Sequence, residues 1–283
     1  MVNIPVTMNK YLRLFRPLNM VIGSVAILIA AFMAAGTSMI DYWSNLIIGF
    51  FIVFTFIAGG NSLNDYIDVE IDRTAHPDRP VVTGEITPKQ AKNVGILMLA
   101  ISAALSILTF DPYVIAVVVI AVILMFGYET GLKQRGFIGN LTIALLTGMV
   151  FVLAGALVGD ITANIAVGGM AALVSVGREI SKDIEDMESD IGRKTLPMSI
   201  GVRNASIVAS IFYIAGPILS WLPIYQHPEN YLYYIVILAD VAFFYCAYVV
   251  FKSPHKAQKT AKIGMLLGLV AFIMSAIYFS FLA

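Results

Sequence analysis

Nine runs of about 20 apolar residues follow one another along this chain, at 17–36, 44–67, 89–108, 113–130, 139–158, 163–182, 202–222, 231–251 and 262–282. The hydrocarbon core of a bilayer is about 30 Å thick, and about 20 helical residues cross it. In lipid every backbone N–H and C=O must be paired within its own segment, so each run is expected to be a helix. The segments between the runs differ sharply in charge. Alternate segments, with the run ends beside them, hold Lys10, Arg13 and Arg16; Arg73, Arg79, Lys89 and Lys92; Lys133 and Arg135; Arg178, Lys182, Arg193, Lys194 and Arg203; and Lys252, Lys256, Lys259 and Lys262. These are all 18 lysines and arginines, and the intervening segments have none. Positive charge is retained on the cytoplasmic side of a membrane. The alternation therefore predicts an all-α, polytopic membrane protein with nine spans, N-terminus cytoplasmic and C-terminus outside. A missed or invented span would break it. Tyr42, Trp43, Tyr113, Trp221, Tyr225, Tyr231, Tyr233 and Tyr234 gather at the outer ends, the depth that aromatic rings favour.

Composition agrees. The chain is 59% hydrophobic and 13% charged, against about 45–50% and about 25% for a soluble domain. A formal net charge of zero argues against a nucleic-acid partner. The single cysteine, Cys246, excludes an internal disulfide and reads as a small buried hydrophobe. The first run follows three basic residues and is long enough to span, so it reads as a membrane helix rather than a cleaved leader. No low-complexity segment divides the chain, which reads as one integral-membrane domain over 1–283. Thr87-Pro88-Lys89-Gln90 predicts a helix start, with a capping threonine, a first-turn proline and a glutamine at the capping-box position. Pro217 is expected to kink the seventh span.

The polar residues are concentrated in two ladders. Residues 61–72, NSLNDYIDVEID, place Asn61, Asp65, Asp68 and Asp72 at spacings of 4, 3 and 4, with Asn64 on the same side. Residues 179–190, EISKDIEDMESD, place Glu179, Asp183, Asp186 and Asp190 at the same spacings. Residues three, four and seven apart share one face of a helix. Both ladders lie at the cytoplasmic end of an even-numbered span, so spans two to three and six to seven form a weak internal repeat. Stacked like charges destabilise a helix by about 0.2–0.5 kcal/mol per pair, and more where the bilayer begins, so a positive partner is expected. Mg²⁺ takes oxygen ligands, typically one or two carboxylates plus substrate phosphates. Two such ladders suit two or more Mg²⁺ around a diphosphate. Arg73, Arg79, Arg178, Lys182, Arg193 and Lys194 lie close in sequence, and can pair the phosphate oxygens that metal leaves free. Each alone reads equally as an inner-leaflet anchor. Lys133 follows Tyr128 at the inner end of the fourth span, where a lysine also snorkels.

Other chemistries lack their residues. There is no P-loop, GxGxxG or HExxH, and His76, His227 and His255 are scattered among loops, against a zinc site. Asp240 lies deep in the eighth span with no evident partner in sequence, and an intramembrane acid is a functional candidate by default. A cation-coupled transporter would carry its carboxylates near the bilayer midplane on broken helices, whereas both ladders sit at span ends.

Residues 64–72, NDYIDVEID, followed by RTAHPDRPVVTGEIT over 73–87, closely resemble the first motif of the UbiA family of intramembrane prenyltransferases. Residues 183–190, DIEDMESD, resemble its second, and the resemblance runs over essentially the whole chain. It implies nine helices around a central cavity that opens sideways to lipid and is capped by two cytosolic loops. It implies Mg²⁺-dependent transfer of a prenyl chain from a polyprenyl diphosphate. Asn64, Asp68 and Asp72 would hold one Mg²⁺, and Asp183, Asp186 and Asp190 the other. Asp68, Asp72, Asp186 and Asp190 would be catalytic through that metal. Asn61, Asn64, Asp65, Arg73, Arg79, Tyr128, Lys133, Arg178, Lys182 and Lys194 would line the substrates.

Within the family, residues 131–148 and 177–197 are most similar to archaeal members that add a second geranylgeranyl chain to geranylgeranylglyceryl phosphate. Members acting on 4-hydroxybenzoate tend to read Tyr-Pro-x-x-Lys-Arg after the fourth span. Here Glu129 follows Tyr128, and Lys133 comes one residue later. A lipid-phosphate acceptor is thus the leading expectation and an aromatic or quinone precursor the alternative, with membrane lipids as surroundings.

Overall fold

The computed structural model describes residues 9–187 and 194–283. Among them are twelve α-helices and no strand. They are α1 (Lys10–Phe15), α2 (Pro17–Ala35), α3 (Trp43–Ile67), α4 (Val69–Ala75), α5 (Pro88–Ile107), α6 (Pro112–Thr130), α7 (Phe137–Leu157), α8 (Ile165–Glu185), α9 (Leu196–Ile200), α10 (Val202–Gln226), α11 (Val236–Val249) and α12 (Pro254–Phe281). Each apolar run of the sequence falls on a helix. The last helix begins at Pro254 rather than 262, because Ser253 accepts a hydrogen bond from the Lys256 N–H and Pro254 opens the first turn. The expected capping box is present: Thr87 Oγ1 accepts from the Gln90 N–H at 3.2 Å, and Gln90 Oε1 from the Thr87 N–H at 2.9 Å. α10 runs through Pro217, where the Ser220 hydroxyl donates to the Pro217 carbonyl at 2.8 Å.

Seven helical stretches among the described residues are long and apolar enough to cross a membrane. The first, Pro17–Ile67, has 51 residues and comprises α2 and α3 joined by a 3-10 turn, Gly36–Tyr42. α8 is not among them, because its last two turns carry Arg178, Glu179, Lys182, Asp183 and Glu185. Ile123, Ile218, Leu238 and Leu266 are each more than half exposed. Large aliphatic side chains exposed along whole helices make a surface suited to lipid, not water.

The chain divides into two compact units, and the division falls within α2, after Leu28. In the first, through Leu28 and over Trp43–Thr130, α3 packs along α5. Leu63 and Leu99 are buried, and the Ser102 hydroxyl donates across to the Ile52 carbonyl at 3.0 Å. α1 covers one end, where Leu14 is fully buried against Val81, Ile86 and Ala91. In the second unit, α8 lies between α7 and α10. α7 and α8 meet at Gly148 and Gly168, and α8 meets α10 at Ser181 and Tyr213, whose hydroxyls are 3.1 Å apart. Val176, Ile180, Ala209, Tyr213, Phe243, Cys246 and Ala257 form its core.

Candidate functional site

Each unit contains one carboxylate ladder. In the first, α3 ends at Ile67 and α4 begins at Val69, so the ladder crosses a break. Helical spacing survives it: the Asp68 N–H donates to the Asn64 carbonyl at 2.9 Å and the Asp72 N–H to the Asp68 carbonyl at 2.8 Å. Asp68 itself, at φ −89 and ψ 13, lies in the sparsely occupied bridge region. In the second ladder Asp186 ends α8 at φ −88 and ψ 1, its N–H donating to the Lys182 carbonyl at 2.9 Å. The third residue of each ladder therefore has the same backbone conformation at the same point of its helix. The repeat seen in sequence is a repeat of local geometry.

The first ladder turns one face inward. Asp65, Asp68 and Asp72 are buried, whereas Glu70 is exposed and pairs with exposed Arg73 at 3.0 Å. Arg73, expected beside substrate, is thus on the outer side of α4. The Asn64 amide donates to Asp68 Oδ2 at 3.0 Å, leaving the amide oxygen as its ligand atom. Arg79 pairs with Asp72 and, at 3.2 Å, with Asp65. Arg16 pairs with Asp65 and donates to Asn61 Oδ1 at 3.3 Å, while the Asn61 amide donates to the Phe15 carbonyl at 2.8 Å. Buried carboxylates are costly unless paired, and the two guanidiniums supply that pairing. Beyond the ladder, Arg13 pairs with Glu85 at 2.8 Å. The hydrogen bond from Arg13, and then that from Thr83, holds the Glu85 carboxyl below its ordinary value.

In the second ladder Asp183 accepts from the Asn140 amide at 2.9 Å, and Glu179 pairs with Arg178. Asp183 and Asp186 are half-buried and Lys182 is exposed. Asp190 and Arg193 lie outside the described residues. Lys133 is half-buried in a 3-10 turn, Leu132–Gln134. Gly136 follows at φ 56, and a Cβ there would stand 3.0 Å from the Lys194 carbonyl, so this turn lies against the backbone of exposed Lys194. Tyr128 is half-buried in α6, in the first unit.

Sequence reasoning missed Arg16 and Asn140. Arg16 was legible only as a basic residue bearing on orientation, and Asn140 only as a polar residue in an apolar run. Asp240, which had no partner in sequence, accepts from the Ser220 hydroxyl at 3.0 Å, and the Tyr233 hydroxyl donates to the Ser220 carbonyl at 3.0 Å.

Among the described residues no three His, Cys, Asp or Glu side chains form a metal-binding group by themselves. Mg²⁺ does not require three, since it takes one or two carboxylates and completes its shell with water and substrate phosphate. Asn64 with Asp68 and Asp72, all oxygen donors, fits that demand, and so does Asp183 with Asp186.

A family model described as the UbiA prenyltransferase family matches residues 24–278, a stretch that includes both ladders. A digeranylgeranylglyceryl phosphate synthase from Methanosphaera stadtmanae is 38% identical over 95% of this chain and 100% of its own length. A solved structure from work on digeranylgeranylglyceryl phosphate synthase in membranes is 31% identical, with a TM-score of 0.82 over 95% of this chain and 98% of that one. A UbiA homologue from Archaeoglobus fulgidus, solved bound to GPP and Mg²⁺, shares the fold at 18% identity, with a TM-score of 0.65 over 95% of this chain and 99% of that one.

Proposed function

The chain belongs to the UbiA prenyltransferase family, and on that premise we propose the reaction it performs. It transfers a geranylgeranyl chain from geranylgeranyl diphosphate to the glycerol hydroxyl of geranylgeranylglyceryl phosphate, with Mg²⁺, as a single membrane domain. The reading is carried by the 38% identity that spans the whole of a synthase of this kind. The two ladders supply the chemistry it needs. Asn64, Asp68 and Asp72 would hold one Mg²⁺, and Asp183, Asp186 and Asp190 the other. Metal held there would supply charge neutralisation for the departing diphosphate and so favour ionisation of the allylic C–O bond.

The chain's own residues do the rest. Arg79, held by two carboxylates of the first ladder, offers its remaining donors to diphosphate oxygens. Lys133, Arg178, Lys182 and Lys194 bring further positive charge to the anionic groups of the substrates. The glycerol hydroxyl attacks the allylic carbon, an ether C–O bond forms, and the hydroxyl proton is lost. We assign no strong base, because an allylic cation is reactive enough for a neutral hydroxyl. Apolar surroundings for the reacting carbon would exclude water that would trap it as the alcohol. Both substrates carry long chains that a bilayer already holds.

The acceptor is tested directly. Purified protein with labelled geranylgeranyl diphosphate and Mg²⁺ is offered geranylgeranylglyceryl phosphate, its dephosphorylated form and 4-hydroxybenzoate. One charge-assisted contact is worth about 1.5–3 kcal/mol. The phosphorylated acceptor is therefore expected to react about tenfold to a hundredfold faster than the form lacking phosphate. Equal rates, or faster transfer to 4-hydroxybenzoate, would move the assignment to the aromatic branch.

We further propose nine crossings of the cell membrane, with the N-terminus and all five basic segments on the cytoplasmic side, where the reaction takes place. Single cysteines placed near Asp160 and near Lys256, in a Cys246→Ala background, should label from opposite faces of the membrane. Labelling from the same face would break the arrangement.

A further inference from the structure

Asp65 is 2% exposed, more buried than Asp68 or Asp72, and it is the carboxylate of the first ladder to which no metal is assigned. Arg16 and Arg79 meet on its Oδ1. They arrive from opposite sides in sequence, Arg16 from before α2 and Arg79 from the loop that follows α4. Arg16 is the one-residue joint between α1 and α2. Its backbone is left-handed, at φ 56 and ψ 71, a conformation that residues with a Cβ rarely adopt. Its carbonyl nevertheless accepts the Asn19 N–H at 2.9 Å and so starts α2. The contacts of its side chain with Asp65 and Asn61 hold it there.

α1 is in turn fastened to the loop that carries Arg79. Lys10 Nζ donates to the Glu85 carbonyl at 3.0 Å, Arg13 pairs with the Glu85 carboxylate and donates to the Asp78 carbonyl, and Leu14 is buried against Val81 and Ile86. α1, the loop and α3 therefore close a ring of contacts, and Asp65 is the point where both arginines of that ring end.

We propose that Asp65 is a positioning residue: it holds no metal, and through Arg16 and Arg79 it fastens α1 and the 76–87 loop to α3, fixing the Arg79 guanidinium beside Asp72. A metal ligand would need its oxygens turned to the ion, whereas Asp65 gives the same oxygen to two guanidiniums. The part of the proposal concerning turnover rests on the prenyl-transfer reading; the part concerning structure and metal does not.

The test uses the full chain in detergent and the variant Asp65→Asn, which keeps shape and removes charge. Mn²⁺ titrated with inorganic diphosphate, followed by electron paramagnetic resonance, should bind it within about twofold of the unaltered protein, whereas Asp68→Asn should weaken binding about tenfold or more. Amide hydrogen exchange over 10–16 and 76–87 should speed up about tenfold or more, with α7 and α8 unchanged. Turnover should fall about tenfold to a hundredfold, and Asp65→Asn should add less than about threefold to the loss caused by Arg79→Gln, since it acts through that arginine. Mn²⁺ binding as weak in Asp65→Asn as in Asp68→Asn would make Asp65 a ligand and overturn the proposal. Unchanged exchange, or fully multiplicative losses with Arg79→Gln, would overturn it too. If Asp65→Asn does not accumulate folded, Arg16→Gln, which leaves Asp65 paired with Arg79, must show the faster exchange over 10–16 with unaltered Mn²⁺ binding; otherwise the proposal fails. Unaltered protein without prenyl transfer would strike the functional reading, and the exchange and metal measurements would still decide this one.

Discussion

Replacing Asp68 by alanine is expected to lower prenyl transfer about a hundredfold to ten-thousandfold while leaving folded protein in the membrane. A metal that neutralises a leaving group supplies several kcal/mol, and each 1.36 kcal/mol is about tenfold in rate. The fold should tolerate the change because of how charge is distributed around the ladder. Asp65, Asp68 and Asp72 face two guanidiniums, and both pair with Asp65 or Asp72. Removing Asp68 therefore reduces an excess of negative charge and leaves neither arginine without its carboxylate. Asp186→Ala should behave alike, since Asp186 ends α8 in the same backbone conformation that Asp68 has after α3. The measurement is turnover of labelled geranylgeranyl diphosphate, with the amount of monodisperse protein as the control for folding. Full activity in either variant, or in the unaltered protein with EDTA, would rule out metal at the ladders.

The largest expected effect on stability lies away from the carboxylates, where α7 and α8 cross. A Cβ on Gly148 would stand 2.5 Å from the Gly168 carbonyl oxygen, and a Cβ on Gly168 would stand 2.7 Å from that of Gly148. Both obstacles are backbone, so no rotamer change relieves them. Small residues at such crossings let helices approach closely in lipid, where close packing rather than water exclusion drives association. Gly148→Ala gains about 0.8–1 kcal/mol of helix propensity against an overpacking cost of about 1–3 kcal/mol, so a net loss is expected. Gly148→Leu, with more to accommodate, should sharply reduce extractable protein. Gly169→Ala is the control: it is exposed and nothing lies within 4 Å of its Cβ, so it should be neutral or stabilising. Thermal unfolding in detergent separates them. A Gly148→Ala protein as stable as Gly169→Ala would mean that the two helices can move apart at little cost.

Turnover should respond to the crossing as well. Gly168 lies near the start of α8, which carries Glu179 and Asp183 and ends at Asp186, and α7 carries Asn140, which donates to Asp183 at 2.9 Å. Asn140 and Gly148 are eight residues apart on one helix. Prying α7 from α8 at Gly148 therefore shifts the amide that holds Asp183.

Features set by neighbours in sequence were legible without a structure. The apolar runs, the capping box at Thr87 and Gln90, and the 4, 3, 4 spacing of both ladders depend on residues a few positions apart. So do the two short motifs that carried the family resemblance. What a side chain meets across the fold was not legible. Arg16 lies 49 residues from Asp65 and Asn140 lies 43 from Asp183, and no periodicity links either pair. Arg73 and Arg79 stand six positions apart and read alike in sequence, yet one is on the exposed side of α4 with Glu70 and the other reaches two buried carboxylates. Asp68 and Asp186 matched as letters, but their shared bridge-region backbone depends on where each helix ends. The sequence by itself determined which residues are apolar, which are charged and at what interval they recur, because lipid and the helix read those properties residue by residue. Which carboxylate meets which cation was decided only by the tertiary structure, because a buried charge takes whichever partner the packing of distant helices brings within reach.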